Sequence, residues 1–259
     1  MPVFMRNLGL QYLVDRDVLK EREMLDMFER SEPLVTDAGI YRVYRFRCSV
    51  ELVFKTIPTP NEMRIVGTDT HYVGASRWCV LPIQDITTQS ADSLSAIVAF
   101  SDLDQEHLCV THIVKAYANP PFTIQIPANI QLAAFPFELS LYPSRAFYEK
   151  ESRTITQLSS HMPYLHDGQL LPIGFLSRQQ QTDRMRVYRE DLMIGCGTVV
   201  GIKSENCDEV RSTGFLVATI ETSFGTLEVV YTPHMLDGRS ATVGSYLVFS
   251  GLLSAELLP

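Results

Sequence analysis

The groups able to exchange protons, hold a metal or attack a carbon gather most densely between residues 102 and 112. Asp102-x-Asp104-x-Glu106 spaces three carboxylates as a calcium loop begins, but that loop needs a glycine at its sixth position and a glutamate at its twelfth, where this chain has His107 and Ile113. The run therefore reads as a charged hairpin tip. His107-x-Cys109 points two ligand-type side chains to one side of a strand, with His112 on the other. Two ligands are too few to close a zinc site, so no metal is expected.

Nucleophile signatures are equally incomplete. Gly74-Ala75-Ser76-Arg77-Trp78 lacks the last glycine of a nucleophile elbow and leads into a strand pattern where the elbow needs a helix. Gly195-x-Gly197-x-x-x-Gly201 misses the dinucleotide spacing and also runs into a strand, so no cofactor is expected. No Walker loop, H-E-x-x-H or kinase signature occurs. Cys79 and Cys109 have apolar neighbours that predict inert, buried thiols. His161, His166 and Asp167 fall beside a Gly168 turn and read as surface groups. An enzyme would have to assemble its site from distant residues, most directly His107, Cys109 and the Asp102 loop, and a non-enzymatic chain is the simpler expectation.

At 259 residues, with 46% hydrophobic and 20% charged, the chain is expected to fold into two domains with real cores. A net charge of −8 disfavours general affinity for nucleic acid or anionic membrane. The start Met1-Pro2-Val3-Phe4-Met5-Arg6 has no secretory pattern and no uncharged run reaches spanning length, so a cytoplasmic setting without membrane contact is expected. The five cysteines are odd in number, widely spaced and without a C-x-x-C pair, which predicts reduced thiols.

The elements that must position these groups are mainly strands. Residues 18–28 form the best amphipathic helix, with Val18, Leu25 and Phe28 on its apolar stripe and Ser31-Glu32-Pro33 as its stop. Ile40 to Lys55 reads as one long strand: Tyr44, Phe46, Cys48, Val50, Leu52 and Phe54 share a buried face, with Arg45 and Arg47 on the wet one. Residues 39–80 carry six positive charges against three negative, a local +3, so Arg42, Arg45 and Arg47 are candidate ligand contacts, although such arginines commonly pair with neighbouring carboxylates. Strands are expected again over 63–67, 71–83, 94–100, 107–117, 122–126 and 132–142, kept short by prolines such as Pro127 and Pro136. Residues 81–139 hold one positive charge against six negative, a local −5. A helix is expected after Ser144, and no internal repeat is visible.

From Gly195 the pattern is cleanest. Gly195–Lys203, Phe215–Thr222 and Thr226–Thr232 read as strands, the last two joined through Ser223-Phe224-Gly225; Pro233–Gly238 interrupts them before the strand pattern of Val243–Leu253. The Gly197-Thr198-Val199 opening, the central hairpin and Val243-Gly244-x-x-Leu247-x-Phe249-x-Gly251 resemble an OB-fold, the small Greek-key barrel. The resemblance implies a ligand face on the second and third strands for oligonucleotides or oligosaccharides, with Phe215, Phe224, Tyr231 and Tyr246 as candidate stacking residues. Three basic residues against seven acidic over 193–259, a local −4, argue against tracking phosphates.

The expected class is α+β, mainly β: an N-terminal antiparallel sheet domain with packed helix over 1–175, a linker or connecting helix over 176–192, and an OB-like β-barrel over 193–259. The expected role is non-enzymatic binding or assembly with a protein partner, self or other. The competitors are a single-stranded nucleic-acid binder and an enzyme with a dispersed site.

Overall fold

Met24, Met27 and Phe28 recur at helical spacing and turn helix α1 (Val18–Arg30) onto a sheet, while Leu25 of the expected stripe points to solvent. The computed structural model describes residues 7–8, 10, 18–36, 39–60, 63–86, 96–104, 107–113, 123–156, 165–173, 191–207 and 214–258. The chain is α+β and mainly β. Ser31 ends α1 by turning its amide back to the Phe28 carbonyl (3.2 Å), and Pro33 follows.

The sheet beneath α1 is a four-stranded antiparallel meander of β1 (Glu32–Thr36), β2 (Gly39–Arg45), β3 (Val50–Pro58) and β4 (Met63–Tyr72). The long strand expected over 40–55 is thus a hairpin that reverses at residues 46–49. Tyr44, Phe46, Val50, Leu52 and Phe54 still enter one core, because Tyr44 pairs with Leu52 and pairing residues share a face.

The second sheet contains β5 (Trp78–Asp85), β6 (Ala96–Ser101), β7 (Leu108–Ile113), β8 (Ala128–Tyr142), the short β9 (Leu170–Leu171), β10 (Met193–Glu205), β11 (Phe215–Thr222), β12 (Gly225–Tyr231) and β13 (Tyr246–Leu257). Helix α2 (Arg145–Thr156) follows β8, and a single 3-10 turn, Pro233–Leu236, lies between β12 and β13. Residues 123–126 form a turn where a strand was expected.

The pairings close two rings. One runs β10–β11–β12–β8–β13 and back to β10; the other runs β5–β6–β7–β13–β8 and back to β5. The antiparallel ribbon β8–β13 belongs to both. The tail after residue 193 therefore supplies four strands of its ring and takes the fifth from 128–142, so hydrogen-bonded pairing crosses the expected boundary at 176–192, most of which lies outside the described residues.

The register repeats as well as the order. Ala133 and Ser254 pair with each other in the ribbon. Three residues before each, Ile130 meets Trp78, the first residue of β5, and Gly251 meets Met193, the first residue of β10. Each first strand carries one unpaired bulge residue against its second strand, Ile83 in one ring and Val200 in the other. The side chains at matching places differ, so the repeat lies in backbone pairing and left no trace in the sequence.

One apolar core fills both rings, from Trp78, Val98 and Phe100 to Ile220, Leu227 and Phe249. The outer face of the ribbon and of β11–β12, with Ala133, Phe135, Phe215, Val217, Val230 and Leu252, lies under the N-terminal sheet. Pro136 is accommodated in β8 because the ladder skips a residue beside it, opposite Gly251, which has no space for a side chain against the Phe135 carbonyl.

Candidate functional site

Glu228, Ala133, Ser254 and His112 stand in one row across β12, β8, β13 and β7, each the registered partner of the next. Ala133 packs under the N-terminal sheet, and strand pairing places the whole row on that face. All four are buried.

At one end, Glu228 Oε2 accepts hydrogen bonds from the amides of Ala75 (2.6 Å) and Ser76 (3.1 Å), and Oε1 accepts from the Tyr72 hydroxyl (3.2 Å). Lys203 Nζ lies 3.8 Å away. A buried carboxylate is tolerable when donors and a cation converge on it in this way. Burial, then the charges of Glu228 and Glu205, raise the Tyr72 phenol, which keeps its proton and donates. Ser76 ties the same lead-in to β8, its hydroxyl donating to the Leu132 carbonyl and accepting the Leu132 amide (3.2 Å). Gly74 leaves no room for a Cβ between the Glu228 carboxylate and the Gln131 amide.

At the other end, His112 Nε2 and Asp191 Oδ2 are 2.7 Å apart and both residues are buried. The hydroxyl of Ser254, between the two ends, finds no hydrogen-bond partner among the described residues. Ser254, His112 and Asp191 are the residue types of a hydrolytic triad, and all three are buried. A third such contact, His71 Nε2 to Glu256 Oε2 at 2.8 Å, ties β4 to β13.

His107 Nδ1 and Asp102 Oδ2 lie 3.0 Å apart at the charged hairpin tip, and the contact closes the β6–β7 hairpin: the Asp102 amide donates to the His107 carbonyl and the His107 amide to Asp102 Oδ1. Cys109 stays in the core, where burial, and secondarily the Asp102 charge, push its thiol up to about 12. It is held as the unreactive thiol. Among the described residues no three His, Cys, Asp or Glu side chains come together to hold a metal ion.

Arg42 and Arg45 of the arginine candidates are occupied within the fold. Arg42 lies over the Phe28 ring (5.1 Å) and donates to the Phe28 carbonyl and Ser31, satisfying the end of α1. Arg45 bridges Glu32 and Glu51, and Arg47 is exposed in the β2–β3 turn. Of the aromatic candidates, Phe215 is edge-on to Tyr72 beneath the N-terminal sheet, Tyr231 is in the ring core, and Tyr246 stacks on Tyr148 and donates to Cys196 Sγ (3.1 Å). Phe224 stacks on Trp78 (5.2 Å), whose indole donates to the Thr226 carbonyl. Three of the four rings are enclosed and offer no face to a base; only Phe224 is half-exposed.

The expectation of reduced thiols is corrected at Cys48 and Cys207, which form a disulfide across 159 residues of sequence. It joins the β2–β3 turn to the end of β10, beside Glu205, whose carboxylate accepts from the Ser49 amide (2.9 Å) and hydroxyl (3.0 Å). No family model, curated protein or solved structure matches the chain. No helix among the described residues is long and apolar enough to cross a membrane.

Proposed function

We propose that the chain is a non-enzymatic assembly protein made of two OB-like barrels, each completed by a strand of the other, and that its partner is another protein. The OB-like reading is supported by the ring order: three consecutive antiparallel strands, the third parallel to one ribbon strand, with the other ribbon strand closing back on the first. The observation that carries the non-enzymatic reading is the use made of the buried ionisable groups. Glu228, His112 and His71 each clasp one structural element to another, which spends on architecture the groups that catalysis would need.

A cytoplasmic setting belongs to the same proposal, and the Cys48–Cys207 bond weighs against it, since structural disulfides persist in oxidising compartments. The nucleic-acid alternative has the barrel order in its favour and the net charge of −8 and enclosed rings against it. Mass spectrometry of the natively purified protein tests the reading: a stoichiometric protein partner supports it, and a co-purified oligonucleotide or turned-over small molecule replaces it.

A further inference from the structure

The Cys48–Cys207 bond sits at one corner of the seam between the N-terminal sheet and the rings, and the contacts around it form one connected group. Cys48 is half-exposed in the β2–β3 turn, while Cys207, two residues past β10, is buried. Ser49, next to Cys48, is held by Glu205; Glu205 pairs in register with Phe215, and Phe215 meets Tyr72 edge-on (6.2 Å). Lys203 joins Glu205 (2.8 Å) and lies over the Tyr72 ring (5.3 Å). Tyr72 in turn crowds Gly74, where a Cβ would fall 2.8 Å from its ring and 2.7 Å from the Gln131 amide nitrogen.

Gln131 is where closure of this corner is costly. It is 2% exposed, and neither its carboxamide oxygen nor its nitrogen finds a hydrogen-bond partner among the described residues. Ser254 is in the same condition at 3% exposure, and it lies diagonally from Gln131 on the same face of the ribbon, since Gln131 pairs with Glu256 and Ala133 with Ser254. Buried polar groups without partners oppose the closed seam, and water satisfies them once the sheet lifts. Burial of Phe215 and Val217 under the sheet favours closure. A covalent bond at the corner where these opposing effects meet is placed to decide between them.

We infer that Cys48–Cys207 is a reducible latch: opening the bond lifts the β2–β3 corner of the N-terminal sheet from Phe215 and Gln131 while both rings stay closed. The reductant is a dithiol. Its thiolate attacks the sulfur of Cys48, the residue of the pair that solvent reaches, and Cys207 leaves as a thiolate that takes up a proton. The reductant's second thiol then displaces Cys48 and closes into a disulfide of its own, so two electrons pass from the dithiol to the protein. The corner is shut in an oxidising compartment and open in a reducing one. This goes beyond the assembly role proposed above and does not depend on it.

The test is amide hydrogen exchange on the full folded chain, well below its unfolding temperature, before and after treatment with dithiothreitol. The expected result is that Cys48 and Cys207 become open to alkylation without denaturant, and that exchange over 46–54 and 214–218 rises about tenfold while 96–101 and 108–113 in the β5–β8 ring keep their protection. Cys48→Ser should show the same pattern with no reductant. Gln131→Met, which removes the unpartnered carboxamide at nearly the same size, should lessen the rise in the reduced protein. A bond that dithiothreitol reaches only after urea unfolds the chain overturns the inference. So does exchange that rises equally in the ring strands, which would make the bond a general staple, and so does a corner that stays protected after reduction. Reduced Gln131→Met opening as readily as the reduced parent overturns it too.

Discussion

His112 and Glu228 hold matching places in the two rings. Each is the first of two residues of its third strand that pair with the shared ribbon, His112 opposite Ser254 and Glu228 opposite Ala133, and Ser254 and Ala133 pair with each other. Each reaches the lead-in to the other ring's first strand: His112 grips Asp191, two residues before β10, and Glu228 grips Ser76, two residues before β5. One chemical solution uses an acid on backbone amides and the other a histidine on an acid, but the mechanical task is the same.

Glu228→Ala leaves the amides of Ala75 and of buried Ser76 and the Tyr72 hydroxyl without their acceptor, and is expected to cost about 3 kcal/mol or more. Glu228→Gln keeps an oxygen for the amides and loses the charge, for about 1–2 kcal/mol. Urea unfolding checks the order of the two variants. An alanine variant as stable as the parent would show that the clasp is idle.

Reduction of Cys48–Cys207 removes a crosslink across 159 residues, for which chain entropy predicts a loss on the order of 5 kcal/mol. Thermal unfolding with and without a phosphine reductant should differ by many degrees, and Cys48→Ser should match the reduced parent and stop responding to the reductant.

Thiol accessibility follows burial. Cys79, expected from its apolar neighbours to be buried, is instead exposed and should alkylate in the folded protein. Cys109 and Cys196 are buried with raised thiol pKa values, chiefly through burial, and should react only after unfolding. Mass spectrometry after brief iodoacetamide treatment reads the order directly.

Glu205 is held below the usual carboxylate range. Burial opposes its charge, but the Lys203 ammonium and the two Ser49 donors outweigh that penalty. The folded pKa lies below the unfolded one, so its stabilisation is complete above the ordinary carboxylate value and is lost as pH falls toward the folded value. Glu205→Gln removes this contribution, and the stability gap between parent and variant should narrow from about pH 5 downward.

What local pattern could reveal was revealed: helix α1 with its stop, the hairpin of β11 and β12, and the alternation that sends Leu52 and Phe54 inward. The reversal at 46–49 was hidden because Phe46-Arg47-Cys48-Ser49 holds no glycine, proline or asparagine; long-range partners, Cys207 and Glu205, reinforce that turn. The stripe on α1 shifted from Leu25 to Met24 and Met27 because the sheet meets the helix on that side, a choice periodicity alone leaves open. Proline at 136 argued for short pieces, yet β8 runs for 15 residues because a bulge and Gly251 absorb it. Glu228 and Asp191 escaped notice altogether, since their partners lie 153 and 79 positions away and neither sits in a recognisable motif.

The ribbon gives the molecule an all-or-nothing schedule of synthesis. β13 follows every other strand of the two rings in the chain, and both rings need it as a wall. Until residue 257 has emerged neither ring can close, so the nascent polypeptide carries β5–β8 and β10–β12 with open strand edges, which invite pairing with other chains.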